Sequence, residues 1–311
     1  KKEGSTMTIT RHPFRGEADM PRILDLVDSM PLTCPHVIDL PWRLSSPAIN
    51  EGRDAAFWQD SGGRVVGFAA WQYDWAALDF FILPGPQQSA IEVDLFAWVD
   101  ERFRERDEER GQPLPYWVEF QDDDQARRQL VEERGFLHDE GDRRVLLQHA
   151  LADLAPVPTP PAGFMLRPLA GAQETAAYAE VHRAAFESTS MTPEWRARTI
   201  RMPQYRSELD LVVTAPDGSL AGFCIGWLVP ERRVAQIEPI GVHPRFQRLG
   251  LGRILLLEML RRFKAQGASS AIIEPYTGNA PIHRACEAVG FQQAHTIRSK
   301  GKWLTQTTAM K

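Results

Sequence analysis

Alternating apolar and polar residues predict a regular succession of strands and helices in the second half of the chain. Apolar side chains at every second residue indicate a strand, and a spacing of three to four residues indicates a helix. Leu256, Leu260 and Phe263 follow the helical spacing and form one apolar stripe. The predicted elements are strand 164–168, helix 172–186, a hairpin, strand 235–242, helix 251–266, strand 271–274 and helix 281–289.

This mixed order of elements indicates an α/β or α+β fold. The hairpin is marked by the turn Pro216-Asp217-Gly218 between two alternating runs. The strand–helix–strand unit at residues 235–274 is expected to be parallel, because a helical crossover returns the chain to the same end of the sheet.

Two short patterns recur once in each half of the chain at a constant spacing. Gly67-Phe68 corresponds to Gly222-Phe223, and Gly135-Phe136 corresponds to Gly290-Phe291, each pair 155 residues apart. The first pattern follows a predicted hairpin, and the second ends a short predicted helix with glycine as the C-cap. Repetition at the length of a domain predicts tandem copies of one fold.

A proline-rich segment, LADLAPVPTPPAG at residues 151–163, separates the two copies. Proline disfavours the interior of helices and sheets, so this segment is expected to be an extended linker. The predicted organisation is a first domain at residues 7–150, the linker, and a second domain at 164–311. The first six residues are polar, and we expect the native chain to start at Met7.

Composition narrows the class of protein. The 311 residues exceed what one hydrophobic core usually organises, and 43% hydrophobic with 25% charged residues is typical of a globular protein. A net charge of −5 argues against a nucleic-acid surface, and no run of residues is apolar enough for a membrane span or signal peptide. We expect a soluble cytoplasmic protein, monomeric or homodimeric, that binds neither nucleic acid nor membrane.

Cysteine and histidine spacing gives no sign of a metal site. Cys34, Cys224 and Cys286 are widely separated and odd in number, which fits neither a disulfide framework nor a zinc cluster. His182 and His243 lack metal-ligand spacing and are expected to be core or solvated residues. No metal is therefore expected.

A glycine-containing loop, VHPRFQRLGLGR, connects the strand that ends at Val242 to the helix that begins near Gly250. Glycine lets the backbone approach a ligand closely, and a helix N-terminus offers unpaired N–H groups, which together favour a pyrophosphate. A Walker loop is absent, and the dinucleotide fingerprint fails because Leu255 stands in place of its third glycine.

The loop and its surroundings resemble the GCN5-related N-acetyltransferase (GNAT) superfamily. The resemblance runs through IEPIGVHPRFQRLGLGR with its Q-x-x-G-x-G motif, the helix after it, the strand SAIIEPY, Asn279 and the helix ending AVGF. It covers most of residues 164–291. It implies two tandem GNAT-like domains, each a mixed, mostly antiparallel twisted sheet flanked by helices, and acetyl-CoA as co-substrate.

The resemblance also implies which residues hold acetyl-CoA. Backbone N–H groups from Arg248 to Arg253 would hold the pyrophosphate, and main-chain groups of Ile240 and Val242 would pair with the pantetheine arm where the sheet splays. Asn279 stands where the family often places a pantetheine-binding Asn, although it could equally cap the helix that follows. The predicted cofactor-binding residues are Ile240, Gly241, Val242, Gln247, Arg248, Leu249, Gly250, Leu251, Gly252, Arg253, Asn279 and His283.

Acyl transfer to an amine needs a base, and Glu238 is the candidate. It lies two residues before Ile240 on the strand that leads to the loop, where a carboxylate could accept the amine's proton directly or through water. Gln236 shares its face by strand periodicity and could orient the substrate. The alternative is that Glu238 is an ordinary edge or ion-paired carboxylate.

The position that holds the general acid in many family members differs in this chain. Many members have a tyrosine four residues before the final Gly-Phe glycine, but this chain has Cys286 there. Cys286 lies on an apolar helix face, which favours an inert core thiol, although a thiol could exchange a proton with the leaving thiolate. Tyr276 could substitute, or the reaction could proceed without a dedicated acid.

The first copy lacks the motif. Its equivalent segment reads ILPGPQQSA, where Pro84 and Pro86 remove backbone N–H donors. We expect this copy to be degenerate, contributing packing or completing the substrate cleft. The resemblance of the second copy implies an N-acetyltransferase that acts on a primary amine of a small molecule. The alternatives are a non-catalytic acyl-CoA-binding or regulatory module, and an acyltransferase that uses another donor or a protein amine.

Overall fold

A computed structural model describes residues 8–49, 52–72, 75–111 and 115–304 of the chain. The predicted native start at Met7 lies outside these residues. None of the helices in the described ranges is both long and apolar enough to cross a membrane.

Each half of the chain contributes strands and helices in a similar order. The elements of the first half are β1 (Thr10–Pro13), α1 (Met20–Asp28), α2 (Leu40–Leu44), β2 (Ala55–Gln59), β3 (Val65–Gln72), β4 (Ala77–Ile82), α3 (Gln88–Arg110), β5 (Tyr116–Gln121), α4 (Gln125–Glu133) and β6 (His138–Ala150). Those of the second half are β7 (Met165–Pro168), α5 (Thr175–Phe186), α6 (Pro193–Arg201), β8 (Asp210–Thr214), β9 (Leu220–Val229), β10 (Val234–Val242), α7 (Leu251–Ala265), β11 (Ser270–Ile273), α8 (Ala280–Glu287) and β12 (Gln292–Lys302).

The first compact unit is built on a sheet in the order β1-β2-β3-β4-β5-β12. Only β4 and β5 are parallel in this sheet, and the other neighbours are antiparallel. Aromatic side chains of α3 pack on one face, with Phe96 5.5 Å from Phe80 and Phe103 5.2 Å from Trp71 between ring centroids. This face forms the core of the first unit.

The second compact unit is built on a sheet in the order β7-β8-β9-β10-β11-β6. Here too only one pair, β10 with β11, is parallel, as the sequence predicts for this strand–helix–strand unit. The predicted apolar stripe of α7 faces the core, because Leu256, Leu260 and Phe263 are fully buried. The mixed, mostly antiparallel sheet flanked by helices confirms the predicted fold class.

The repeated Gly-Phe pattern ends equivalent helices in the same way. Gly135 and Gly290 adopt left-handed backbone conformations with φ of +88° and +102°. The amide of Phe136 then donates to the carbonyl of Val131 at 3.0 Å, and that of Phe291 to the carbonyl of Cys286 at 3.0 Å. A repeated glycine C-cap with identical hydrogen bonding accompanies the repeated order of strand pairing.

The compact units do not follow the division predicted at the linker. Strand residues 142–150 of β6 belong to the second unit, and residues 297–302 of β12 belong to the first. Segment Ile38–Ser46, which includes α2, also belongs to the second unit. Alternation of apolar residues determines which face of a strand is buried but not which strand it pairs with, so the sequence could not predict this exchange.

The linker itself contains no helix or strand over residues 151–163. Leu154 and Val157 nevertheless pack against the hydrophobic core of the second unit. The proline-rich segment is therefore attached to one unit along its length.

A fragment of residues 151–311 is not expected to fold alone. It lacks β6, which pairs with β11 from Ala150 to Leu147, and it lacks Ile38–Ser46. The fragment should give no cooperative thermal transition, whereas co-expression with residues 1–150 should restore one. A cooperative melt of residues 151–311 alone would contradict the strand exchange.

Candidate active site

The parallel strands β10 and β11 separate in the middle of the second unit's sheet. They pair at three positions, the last being Gln236 with Ile272. Beyond this point β11 ends at Ile273, while β10 continues to Val242 and shifts register against β9 between Ile237 and Ile240. No described residue of β11 pairs with Ile240, Gly241 or Val242. One edge of β10 is thus open where the family resemblance implies pairing with a pantetheine arm.

The loop 247–252, called the CoA loop after the role predicted for it, follows β10 and opens α7. Arg248 and Gly250 adopt left-handed conformations with φ of +64° and +79°, and no side chain caps the helix. No backbone carbonyl in the described ranges accepts a hydrogen bond from the amides of residues 248–253. Six consecutive amides that have no backbone acceptor among the described residues, at the positive end of a 15-residue helix, are donors of the kind that a pyrophosphate would need.

The predicted cofactor residues are placed as follows. Residues 247–250 are exposed, and the side chain of Leu251 is buried and anchors the loop in the core. Asn279 caps α8, because its Oδ1 accepts a hydrogen bond from the amide of Ile282 at 3.4 Å. His283 Nε2 lies 3.0 Å from the carbonyl oxygen of Tyr276. The latter two side chains thus have structural partners, while the loop amides do not.

Glu238 lies where β10 leaves β11. It follows the last paired residues of β10, and its carbonyl accepts a hydrogen bond from Trp227 Nε1 at 2.7 Å. Its half-buried side chain has a pKa raised to about 7, first by burial and then by the nearby carboxylate of Asp39. A carboxyl group with such a pKa can accept a proton at neutral pH and release it again.

Four charged side chains shift the pKa of Glu238, and the sequence analysis did not identify them. Asp39 and Glu274 raise its pKa, and Arg144 and Arg43 lower it. Arg144 on β6 and Glu274 after β11 form an ion pair of 3.1 Å. Sequence patterns gave no signal for them, because they come from three distant segments that meet only in the folded unit.

A fully buried ion pair joins α6 to the start of β8. Arg196 on α6 pairs with Asp210 at the start of β8, and both are fully buried. The Arg196 guanidinium lies 4.1 Å from the centroid of the Tyr178 ring, and Tyr205 donates to Asp210 at 2.6 Å. These contacts tie α5, α6 and β8 together, with the buried Tyr178 close enough to interact electrostatically with Glu238.

The candidates for general acid occupy different environments. Cys286 is fully buried in the hydrophobic core, and burial raises its pKa to about 12. This placement favours the inert core thiol over the proton donor. Tyr276 is half exposed, and its backbone forms an isolated antiparallel β-bridge with Arg144.

Gln236, the predicted substrate contact, is 2% exposed and lies where β10 and β11 are still paired.

The structure does not support His182 as an alternative general base. It is buried among Tyr178, Phe186 and Phe223, and burial followed by the charge of Arg196 lowers its pKa to about 3. It is therefore a neutral core histidine at physiological pH, one of the two roles expected for it.

The first unit keeps a carboxylate at the position equivalent to Glu238. Leu78 pairs with Trp71 as Ile237 pairs with Gly226, so Asp79 corresponds to Glu238. Asp79 accepts a hydrogen bond from Gln72 at 3.1 Å and is 5% exposed. The segment that follows contains Pro84 and Pro86 where the second unit has the CoA loop, so the two units differ more in this segment than in the carboxylate.

Comparison with known proteins gives the family. Residues 175–291 match the Acetyltransferase (GNAT) family model. A [ribosomal protein bS18]-alanine N-acetyltransferase of Salmonella typhimurium is 35% identical over 104 residues, which cover 33% of this chain and 68% of that protein. The mycothiol acetyltransferase of Thermomonospora curvata is 30% identical over 155 residues, or 48% of this chain.

The chain matches only part of the mycothiol acetyltransferases. The aligned segment spans 52% of the Thermomonospora curvata protein, and 37% of the Kineococcus radiotolerans protein at 36% identity. The residues that match the family model, 175–291, lie in the second half of this chain.

Solved structures with a similar fold align with nearly the whole chain. A tandem GNAT protein from the clavulanic acid biosynthesis pathway has a TM-score of 0.66 at 18% identity, covering 96% of this chain and all of that one. A GCN5-related N-acetyltransferase from Sphaerobacter thermophilus has a TM-score of 0.62 at 17% identity. Members of the matched family generally use acetyl-CoA as co-substrate. The chain therefore belongs to the GNAT family of acetyltransferases.

Proposed function

We propose that the second unit transfers an acetyl group from acetyl-CoA to a primary amine of a small molecule by direct attack. The observation that carries this proposal is the placement of Glu238, whose pKa is raised to about 7, on β10 just before the open edge of that strand and the CoA loop. A base, an acyl-donor slot and a pyrophosphate site then follow one another along a single stretch of chain.

Each residue has a defined role in this reaction. The amides of residues 248–253 hold the pyrophosphate, and the main chain of Ile240 and Val242 orients the pantetheine arm. Glu238 accepts one proton from the bound ammonium group, which leaves a neutral amine with a free electron pair. That pair attacks the thioester carbonyl carbon, the new C–N bond forms, and the C–S bond breaks with its electrons on sulfur.

The leaving group needs no dedicated acid in this scheme. A thiolate is stable enough to leave, and its proton can come from the amide nitrogen that forms, relayed through water. Cys286 lies in the apolar core, so we assign it no chemical step. Tyr276 stays a predicted proton donor, and its replacement by phenylalanine tests that role.

The proton-accepting role of Glu238 predicts a pH dependence. At saturating amine, kcat should rise with pH up to about 7 and then level off, because the raised pKa of Glu238 keeps the group protonated below that pH. A pH profile of kcat checks this expectation. An acid limb near pH 4.5, the usual value of a glutamate, would contradict it.

The first unit is proposed to be a degenerate copy that binds no coenzyme A. Pro84 and Pro86 have no backbone N–H to donate at the place where the second unit offers the six amides of residues 248–253. We therefore propose one cofactor per chain.

The acceptor could also be a protein amine, since one group of relatives is named for acetylating an alanine of a ribosomal protein. The test is a panel of small primary amines and of peptides with free N-termini, each incubated with acetyl-CoA while free thiol and product mass are followed. Turnover with small amines supports the proposal, and turnover with peptides alone would replace it. A raised melting temperature with acetyl-CoA but no thiol release would indicate a non-catalytic acyl-CoA-binding module.

A further inference from the structure

Strand β10 contains an extra residue at the point where Glu238 lies. It pairs with β9 at Ile237 and again at Ile240, and the register shifts between these two residues. Glu238 and Pro239 therefore oppose the single residue Ile225 of β9, which is the arrangement of a β-bulge. A bulge interrupts the ladder of backbone hydrogen bonds and changes the direction of the side chains beside it.

The bulge determines which face of the sheet the residues of β10 occupy. Ile237 before the bulge, and Ile240 and Val242 after it, all pack on the hydrophobic core that contains α7. In a regular strand, side chains three residues apart point to opposite faces of the sheet. The extra residue therefore allows both ends of β10 to pack on one core.

The indole of Trp227 holds the backbone of the bulge. A Cβ atom added at Gly226 of β9 would lie 2.5 Å from Phe263 of α7, so Gly226 faces α7. Alternation along β9 places the next residue, Trp227, on the opposite face, where it is 1% exposed. Its Nε1 donates a hydrogen bond to the carbonyl oxygen of Glu238 at 2.7 Å.

This hydrogen bond takes the place of one that the interrupted ladder does not supply. A backbone carbonyl that leaves the ladder within a sheet needs another donor, and the indole N–H provides it. Pro239 follows and has no backbone N–H, so it cannot restore the regular ladder. The carbonyl belongs to the planar peptide unit next to the Cα atom of Glu238, so holding its oxygen fixes the backbone from which the carboxyl group projects.

The first unit has neither the bulge nor the tryptophan. β3 and β4 pair over six successive described residues without a shift in register. Gln72 occupies the position equivalent to Trp227, and its Nε2 donates to the carboxylate of Asp79, not to a backbone carbonyl. The bulge and the indole hydrogen bond thus occur together in the unit that has the CoA loop.

We propose that Trp227 is a positioning residue for acyl transfer, whose indole N–H holds the β10 bulge and thereby directs the carboxyl group of Glu238 toward the acceptor amine. This inference rests on the proposed function of Glu238 and deepens it. Trp227 acts in this scheme only through the backbone of Glu238.

The test replaces Trp227 in the full chain by 3-benzothienylalanine, which keeps the shape of the side chain but has sulfur in place of the indole N–H. We expect kcat to fall about 10- to 100-fold, because a small displacement of the base is costly for the rate. The Kd of acetyl-CoA from calorimetric titration should stay unchanged, because Pro239 still prevents a regular ladder and keeps the open edge in place. Trp227→Phe, which also lacks the N–H, should show the same division between kcat and Kd.

The same replacement in a Glu238→Gln background separates positioning from a general structural defect. If Trp227 acts through Glu238, its replacement should cause little further loss of kcat once the carboxylate is gone. A structural defect would lower kcat by the same factor in both backgrounds. Equal factors, or an unchanged kcat in the single replacement, would overturn the inference. An unchanged kcat in Glu238→Gln alone would instead overturn the proposed function.

Trp58 of the first unit provides a matched control. It is fully buried on β2, and its Nε1 donates to the side chain of Asp94 at 2.7 Å. Replacing Trp58 by 3-benzothienylalanine removes an indole hydrogen bond of the same length but leaves the β10 bulge intact. This variant should keep kcat per folded molecule, and a loss as large as that at Trp227 would count against a specific effect on Glu238.

Discussion

Glu238→Gln is expected to lower kcat by about 10²–10⁴-fold while leaving acetyl-CoA affinity unchanged. Glutamine has nearly the same shape but cannot accept a proton from the ammonium group. Its position on β10 precedes the CoA loop, so the amides of residues 248–253 are not disturbed. Steady-state kinetics and calorimetric titration with acetyl-CoA measure the two quantities separately.

The thermal stability of Glu238→Gln distinguishes a loss of catalysis from misfolding. The pKa of Glu238 is raised from 4.5 to about 7 in the folded state, so the folded protein holds the proton more tightly than the unfolded chain does. Ionisation therefore destabilises the fold progressively from pH 4.5 to 7, and this effect persists above pH 7. Glu238→Gln should melt at a higher temperature than the parent at pH 8.

Asp79→Asn provides a matched control in the first unit. Asp79 occupies the equivalent register position but has no CoA loop after it. It accepts a hydrogen bond from Gln72, so the variant is expected to lose some stability but to keep kcat per folded molecule. Equal losses of kcat in both variants would contradict the assignment of catalysis to the second unit.

Gly250→Asp is expected to weaken acetyl-CoA binding by about 100-fold or more. The residue has a φ of +79°, which disfavours any side chain, and it begins α7 among the unpaired amides. A carboxylate there places a negative charge where the pyrophosphate must lie. Calorimetric titration measures the change in Kd.

Gly267→Asp separates backbone strain from charge at the pyrophosphate site. Gly267 follows the opposite end of α7 and has a φ of +88°, and at both glycines the space that a Cβ atom would occupy is open. The Gly267→Asp variant should lose a similar amount of stability from the backbone but bind acetyl-CoA normally. If both variants bind equally well, the pyrophosphate site lies elsewhere.

The sequence predicted the features that depend on local physics. The loop between β10 and α7 could be located because its glycines and the start of an amphipathic helix are adjacent in sequence. The position of Glu238 followed from strand periodicity. α6 was missed, although Thr192 and Pro193 form a helix start in which the Thr192 side chain accepts from the amide of Trp195 at 3.1 Å.

Features that depend on distant contacts could not be predicted. Nothing in the residues around Asp39 and Arg43 indicates that their charges face a carboxylate about 200 positions later. The exchange of β6 and β12 has the same cause, since equivalent strands of two copies offer similar edges for pairing. For Cys286 the helix face suggested an inert thiol, and its complete burial agrees with that interpretation.

A crystal structure of the full chain with bound acetyl-CoA tests the central claim most directly. The account predicts pyrophosphate oxygens within hydrogen-bond distance of the amides of residues 248–253, the thioester beside Glu238, and no coenzyme A in the first unit. Coenzyme A bound next to Pro84 and Pro86, or an acetyl group remote from Glu238, would contradict it.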